Sequence, residues 1–343
     1  MEKNRKKVLI VGAGGFVGGF IADEGLRRGF DVYAGVRRST SLKYLPKEAK
    51  TVFLTFGEPE KLAQELRAAL PEGECWDCII YNLGATKAIS FTDFNTVNYE
   101  YLRYFTGALK QSGMVPERLL YMSSLSVMGP GDERTYAPFT EERTPIPNTR
   151  YGTSKLKAEL WLQTAGIPYV IFRATGVYGP RERDYYLMFK SIARGFDFSV
   201  GMRRQSLTFI YVEDLVRAMY DALDRAPADS LYLISEPRSY SQKEFRRMAQ
   251  KALGKRAVFP LRLPLWGAGA ACAVIEWWNR RNPFRKGPLH PTILNRDKYK
   301  IMRQRNWNVD VSKAQREFGF SPQVSLEEGI RRSVEWYREN KWL

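Results

Sequence analysis

Val8-Leu9-Ile10-Val11-Gly12-Ala13-Gly14-Gly15-Phe16-Val17-Gly18-Gly19-Phe20 is the stretch whose reading decides the fold. Four apolar residues in a row read as a buried parallel strand. Glycines fall at 12, 15 and 18, and a helical pattern then runs from Phe16 to Leu26. Strand, glycine turn and helix in this order open a dinucleotide-binding fold. Gly12 is placed for the tight turn. Gly15 carries no side chain to hold a pyrophosphate away from the backbone, and Gly18 lets helix and strand pack closely. Phe16 and Val17 begin the helix, whose unpaired N–H groups face the phosphates.

Outward from this stretch, strands and helices alternate. Strands are expected at Val32–Val36, Thr51–Thr55, Cys78–Leu83, Arg118–Met122 and Pro168–Arg173, with helices near Glu58–Leu70, Phe94–Ser112 and Tyr151–Thr164. This predicts an α/β protein, a Rossmann-type doubly wound parallel sheet with helices on both faces. Residues 1–180 form the cofactor domain, and 207–235 return to it through a strand at Leu207–Val212 that rejoins the main sheet. Residues 181–206 and 236–343 form a smaller substrate-binding region. The Pro- and Thr-rich tract 130–150 reads as a loop.

The end of the second strand decides the cofactor. A carboxylate there would bind the ribose hydroxyls of NAD. The sequence instead has Val36-Arg37-Arg38-Ser39-Thr40. Two guanidiniums and two hydroxyls suit a 2′-phosphate, so NADP is the first choice, NAD the second, and Arg37 the leading contact. Further cofactor contacts are expected at Leu83, Gly84 and Ala85 after the fourth strand, and at Thr175 and Val177 after the sixth.

Tyr151 and Lys155 stand four apart at a helix start and share one face. A phenol is a poor acid–base at neutral pH. A neighbouring ammonium favours the phenolate, which is the tuning that general acid–base work needs. The pair follows Ser123-Ser124 at the end of the fifth strand, where a hydroxyl can hold a substrate oxygen. The glycine turn, Asn98, the serine pair and Tyr151-xxx-Lys155 occur in an order that chance does not supply.

With those pieces in place, the chain resembles an extended short-chain dehydrogenase/reductase of the NAD-dependent epimerase/dehydratase family over essentially its whole length. Arg173-xxx-Val177-Tyr178-Gly179-Pro180, Phe209-Ile210-Tyr211-Val212-Glu213-Asp214 and Asp310-Val311-Ser312-Lys313-Ala314 add to the likeness. The C-terminal half is more similar to the reductase and 3β-hydroxysteroid-dehydrogenase-like branch. The resemblance implies that Tyr151 is the acid–base, and that Lys155 lowers its pKa and binds the nicotinamide ribose. It implies that Ser124 orients the substrate oxygen and that Asn98 supports Lys155 through a water. It also implies a homodimer. Two departures stand out. Sugar-nucleotide enzymes of the family carry a diphosphate-holding Arg in a QxRDF-like stretch, where this chain has Gln205-Ser206-Leu207-Thr208-Phe209. The Asp common near adenine is absent from Leu54-Thr55-Phe56-Gly57.

These readings point to an NADP-dependent oxidoreductase acting on a carbonyl or secondary alcohol, with a sugar-nucleotide epimerase or dehydratase as the alternative. A third reading, a non-catalytic NADP sensor, has no use for an intact Ser124, Tyr151 and Lys155.

The 343 residues carry a net charge of +17 that is spread along the chain rather than clustered, which argues against a nucleic-acid partner. Three cysteines suit a reducing compartment. Cys75 and Cys78 lead into a strand and lack further ligands, so no metal is expected. Lys3–Lys7 before an apolar run imitates a signal peptide, but the glycine turn inside that run fits a cytoplasmic enzyme better. The apolar run Leu261–Trp278 reads as a core helix, a lid over an apolar small-molecule substrate, or, with Arg280, Arg281, Arg285 and Lys286, a peripheral membrane contact over 261–286. Tyr185 and Tyr186 either face the pocket or pack. His290, between two prolines, reads as a loop residue.

Overall fold

The protein was analysed as a computed structural model, which describes residues 5–88, 90–281 and 296–343. His290, Arg285 and Lys286 lie outside the described residues.

Strand β1 (Lys7–Val11) leads through the glycine turn into α1 (Phe16–Arg27) and β2 (Asp31–Val36). Then come β3 (Lys50–Phe53), α2 (Pro59–Ala68) and β4 (Cys78–Tyr81). Next are α3 (Phe91–Asn95), a π-helical turn (Thr96–Glu100), α4 (Tyr101–Ser112), β5 (Arg118–Ser124), α5 (Arg150–Thr164) and β6 (Tyr169–Ala174). Beyond the core lie β7 (Gly176–Tyr178), α6 (Arg183–Ala193), β8 (Phe196–Val200), β9 (Phe209–Tyr211), α7 (Val212–Arg225) and β10 (Ser230–Ile234). The chain closes with α8 (Gln242–Ala252), β11 (Phe259–Leu263), α9 (Leu265–Arg281), α10 (Arg296–Arg303), α11 (Ser312–Phe318) and α12 (Leu326–Glu339).

Seven parallel strands form one sheet in the order β10-β6-β5-β4-β1-β2-β3. The order reverses beside β1, and a doubly wound sheet opens its ligand crevice at that reversal, at the carboxyl ends of the strands. Both faces are covered. Val8 and Ile10 of β1 pack into one apolar layer with α1 and α7, while Leu9 and Val11 pack into the other with α2, α4 and α5. This explains why β1 is apolar without alternation. A third apolar cluster joins α6, α8, β9 and α12.

Three expectations need correcting. The Leu207–Val212 strand does not rejoin the main sheet. Its ordered part, β9, pairs with β7, which leaves the sheet edge just after β6 and offers three residues of free backbone. The same segment does reach the main core through α7 and β10. Secondly, 309–320 is not confined to the substrate side. Val309, Val311, Ala314, Phe318 and Phe320 join the main core, and Lys313 Nζ donates to the Leu231 carbonyl at 3.0 Å. Thirdly, the helix expected from Phe94 begins at Phe91 and holds a π-helical turn.

The 130–150 loop is irregular but tied down. Asn306 Nδ2 donates to the Asp132 and Ala137 carbonyls, and Phe139 pairs with Asn308 and Asp310. Asp214, at the start of α7, accepts from the Gln323 and Val324 N–H groups and so anchors the approach to α12. Cys78 is buried, which pushes its thiol up to about 12, and Cys75 is exposed. Among the described residues no group of three or more His, Cys, Asp or Glu side chains could hold a metal ion, and no helix is long and apolar enough to cross a membrane.

Candidate active site

The glycine turn has the geometry its spacing predicts. Gly12 sits at φ +85°, and a Cβ there would lie 2.9 Å from the Leu83 backbone. A Cβ on Gly18 would lie 2.4 Å from the Gly12 carbonyl, so helix and strand meet backbone to backbone. Gly15 is exposed, and the only neighbour a Cβ there would meet is the Gly12 carbonyl at 3.4 Å. Open space therefore faces the N-terminus of α1, where Phe16 and Val17 begin the helix. Arg37 and Arg38 are exposed at the end of β2. The Arg38 guanidinium rests over the Phe53 ring at 5.1 Å.

Leu83, Gly84 and Ala85 follow β4, Ser124 ends β5, and Thr175 and Val177 follow β6. All lie at the carboxyl ends of adjacent strands. The Thr175 hydroxyl is buried without a hydrogen-bond partner, an orphan of the kind a ligand satisfies. An open glycine turn and this orphaned hydroxyl fit a dinucleotide.

Helix α5 starts where it does because Thr149 caps it, its hydroxyl accepting from the Gly152 N–H at 2.9 Å. Pro145 and Pro147 upstream cannot continue a helix. The cap sets Tyr151 in the first turn, with its ring 6.1 Å from that of Phe94. Burial raises the phenol above its ordinary value, and a side-chain hydrogen bond with Ser124 works in the opposite direction. Ser124 Oγ also accepts from the Ser126 N–H at 3.2 Å.

Lys155, one turn further on, is buried. Burial pulls its ammonium down to about 7, with Glu159 pulling upward. Its Nζ donates to the Met122 carbonyl at 2.8 Å and lies 4.7 Å from the Tyr121 ring centroid. Burial is the larger influence on the Tyr151 phenol, which is raised above its ordinary value. Asn98 sits in the π-helical turn before α4. It is fully buried, and it accepts from the Ala85 N–H at 2.7 Å while donating to the Ala85 carbonyl at 3.1 Å and to Ser154 Oγ at 2.9 Å. The π-helical turn aims it inward, and it clamps the loop after β4 to α5. A Cβ on Gly84 would stand 3.0 Å from Lys155 Nζ and 3.2 Å from Asn98 Oδ1, so those three residues meet.

Beneath the serine pair lies a network the sequence reading passed over. Glu159 is buried and ion-paired with buried Arg173 at 2.7 Å, and Ser123 Oγ donates to the same carboxylate. Arg173 Nη1 also touches Met128 Sδ at 3.1 Å. The available signal was a glutamate one further helical turn beyond Lys155, on the buried face. Across the mouth of the crevice, Asp184 on α6 binds Lys87 at 2.5 Å and Lys298 of α10 at 3.0 Å. Burial pushes the Asp184 carboxyl up, but Lys298 and Lys87 hold it below its usual value. Tyr185 packs in the third cluster and Tyr186 donates to the Trp342 carbonyl.

The stretch that carries the diphosphate arginine in sugar-nucleotide enzymes is closed here. Gln205 Nε2 donates to the Met302 and Gln304 carbonyls, Ser206 pairs with Arg305 and Trp307, and Thr208 Oγ1 donates to the Trp307 carbonyl at 2.6 Å.

A doubly wound parallel sheet opened by a GxxGxxG turn is the architecture of an extended short-chain dehydrogenase/reductase. The NAD-dependent epimerase/dehydratase family model matches residues 8–234, and the chain belongs to that family. A probable UDP-glucuronate 4-epimerase from Rhizobium meliloti is 25% identical, the match covering 97% of this chain and 97% of the relative. A solved UDP-glucose 4-epimerase from Thermotoga maritima with UDP-glucose superposes with TM-score 0.76 at 19% identity, covering 98% of this chain and 99% of the other. The Thermus thermophilus UDP-glucose 4-epimerase complex with NAD gives 0.74 at 19% identity, covering 97% and 99%.

Proposed function

We propose that the chain is an NADP-dependent oxidoreductase that reduces a carbonyl or oxidises a secondary alcohol. The observation that carries this reading is the placement of Ser124 at the end of β5 with Tyr151 and Lys155 at the start of α5, on the same sheet that the glycine turn opens. Ser124 polarises the substrate oxygen, and Tyr151 delivers its proton as charge develops there. When bound, the nicotinamide supplies or takes up the hydride. The Gly12–Gly18 turn would hold the pyrophosphate, Arg37 and Arg38 the 2′-phosphate, and Lys155 the nicotinamide ribose. Leu83, Gly84, Ala85, Thr175 and Val177 would line the rest of the crevice. Asn98 positions the Ala85 loop and touches no reacting atom.

NADP is supported by the absence of any carboxylate in Val36–Thr40 and by the exposed Arg37. The closed Gln205–Thr208 stretch argues against a nucleotide diphosphate substrate. A sugar-nucleotide epimerase is the second reading, favoured by the full-length match to the probable UDP-glucuronate 4-epimerase. The test is Tyr151→Phe assayed with aldehydes, ketones and sterols. Turnover should fall by about 10²–10⁴-fold with NADPH binding unchanged. Unchanged turnover would overturn the assignment.

A further inference from the structure

Strands β8 and β11 pair in parallel with Phe196 opposite Phe259, Phe198 opposite Leu261 and Val200 opposite Leu263. Paired residues in a ribbon share a face, and alternate residues return to it. One side of this ribbon is therefore wholly apolar. That side faces outward: Phe196 is 44% exposed, Phe198 58%, Phe259 63% and Leu263 47%. The other side carries Asp197, ion-paired with Arg246 of α8 at 3.5 Å.

Pro264 joins the ribbon to α9, and Leu265 packs near Gly201 at the ribbon's end. From Leu265 to Val274 this helix carries no charged residue. Its inner side is fixed by Ala268 and Cys272, which are buried. Its outer side shows Trp266, Val274, Trp277 and Trp278, with Trp266 79% exposed. Phe196, Phe198, Phe259 and Leu263 of the ribbon and Trp266, Val274, Trp277 and Trp278 of the helix are all exposed, a concentration of large apolar side chains that marks an interaction surface. Seventeen residues reach about 26 Å, short of the roughly 30 Å hydrocarbon core, so the helix is too short to cross a bilayer.

Charge says what covers this surface. Arg194 precedes the ribbon's first strand, Arg203 and Arg204 follow it, and Arg256 precedes the second, all exposed. A second copy would bring the same arginines against these and a further net charge of +17. An anionic lipid surface meets both features: headgroups pair the guanidiniums while rings and aliphatic chains enter the acyl boundary. Tryptophan suits that boundary depth.

We propose that the β8–β11 ribbon and the outer side of α9 form a docking face for anionic phospholipid bilayers. This stands apart from the catalytic reading.

The experiment is co-sedimentation of the full chain with vesicles of phosphatidylcholine, with and without phosphatidylglycerol, at low and high salt. Expected are binding to the anionic vesicles, loss of binding at high salt, and quenching of tryptophan fluorescence by brominated lipid. Phe198→Glu and Trp266→Glu should each weaken binding by about tenfold or more while far-UV circular dichroism is unchanged. No binding to anionic vesicles at low salt would overturn the proposal, as would binding that neither substitution weakens. Sedimentation velocity covers the other occupant. A dimer that both substitutions dissolve, with no vesicle binding, would assign the face to a second copy and refute lipid docking.

Discussion

Replacing Glu159 with leucine should cost more stability than any other single change near the crevice. The carboxylate is 1% exposed and the Arg173 side chain 5%. Besides the 2.7 Å contact, Arg173 Nε reaches both carboxylate oxygens at 3.2 Å, and Ser123 donates to the same group. Removing the carboxylate leaves a buried guanidinium facing chiefly a methionine sulfur. Breaking a buried pair from one side costs about 3–5 kcal/mol, because the remaining charge is desolvated without compensation. With about 2.1 cal/mol/K of unfolding entropy per residue, each kcal/mol lowers the Tm of a 343-residue chain by roughly 1.4 °C, giving a fall of about 4–7 °C. Exchanging both partners, Glu159→Leu with Arg173→Met, removes both charges and should return to within about 1 kcal/mol of the parent. Thermal unfolding of the four proteins, followed by circular dichroism, completes the cycle. The reasoning is refuted if the single variant loses under about 1 kcal/mol, or if the double is no more stable than the single.

Lys155 makes stability depend on pH. Its ammonium titrates near 10.5 when unfolded and near 7 when folded, so between those values the unfolded chain holds the extra proton. Stability therefore rises with pH across that window, and the burial cost is full below it. Lys155→Met should be stabilised relative to the parent below pH 7, with the difference shrinking towards pH 10 in parallel denaturant titrations; a pH-independent difference would contradict this. Arg37→Ala should lower NADPH affinity by about tenfold or more with NADH affinity nearly unchanged, read by tryptophan fluorescence. Equal loss for both cofactors would remove Arg37 from the 2′-phosphate site.

The sheet and its opening turn were legible because their signals are local. Val8–Val11 is apolar on consecutive positions, as a strand covered on both faces must be, and Gly12 and Gly18 are dictated by backbone contacts. The placement of Ser124 at a strand end and Tyr151 at a helix start followed from element order alone. What escaped the sequence depends on tertiary placement. Nothing local distinguishes β9 as a partner of β7 rather than of the main sheet. Nothing local tells that Lys155 finds the Met122 carbonyl, or that burial raises the Tyr151 phenol. Asn98 was singled out, but its bonds to Ala85 and Ser154 depend on a π-helical turn that no periodicity announces. Phe196 and Phe198 look like ordinary core residues until their pairing with β11 places them outside.

The reading of this chain as a reductase stands most directly on whether cofactor is consumed. Purified protein should be incubated with NADPH and a panel of aldehydes, ketones and sterols, and in parallel with UDP- and dTDP-sugars, while absorbance of the reduced nicotinamide and the sugar products are followed. Stoichiometric loss of NADPH with carbonyl reduction, absent in Tyr151→Phe, is the predicted result. Conversion of a nucleotide sugar by tightly retained NAD, with no net change in the nicotinamide, would contradict it and assign the chain to epimerase or dehydratase chemistry.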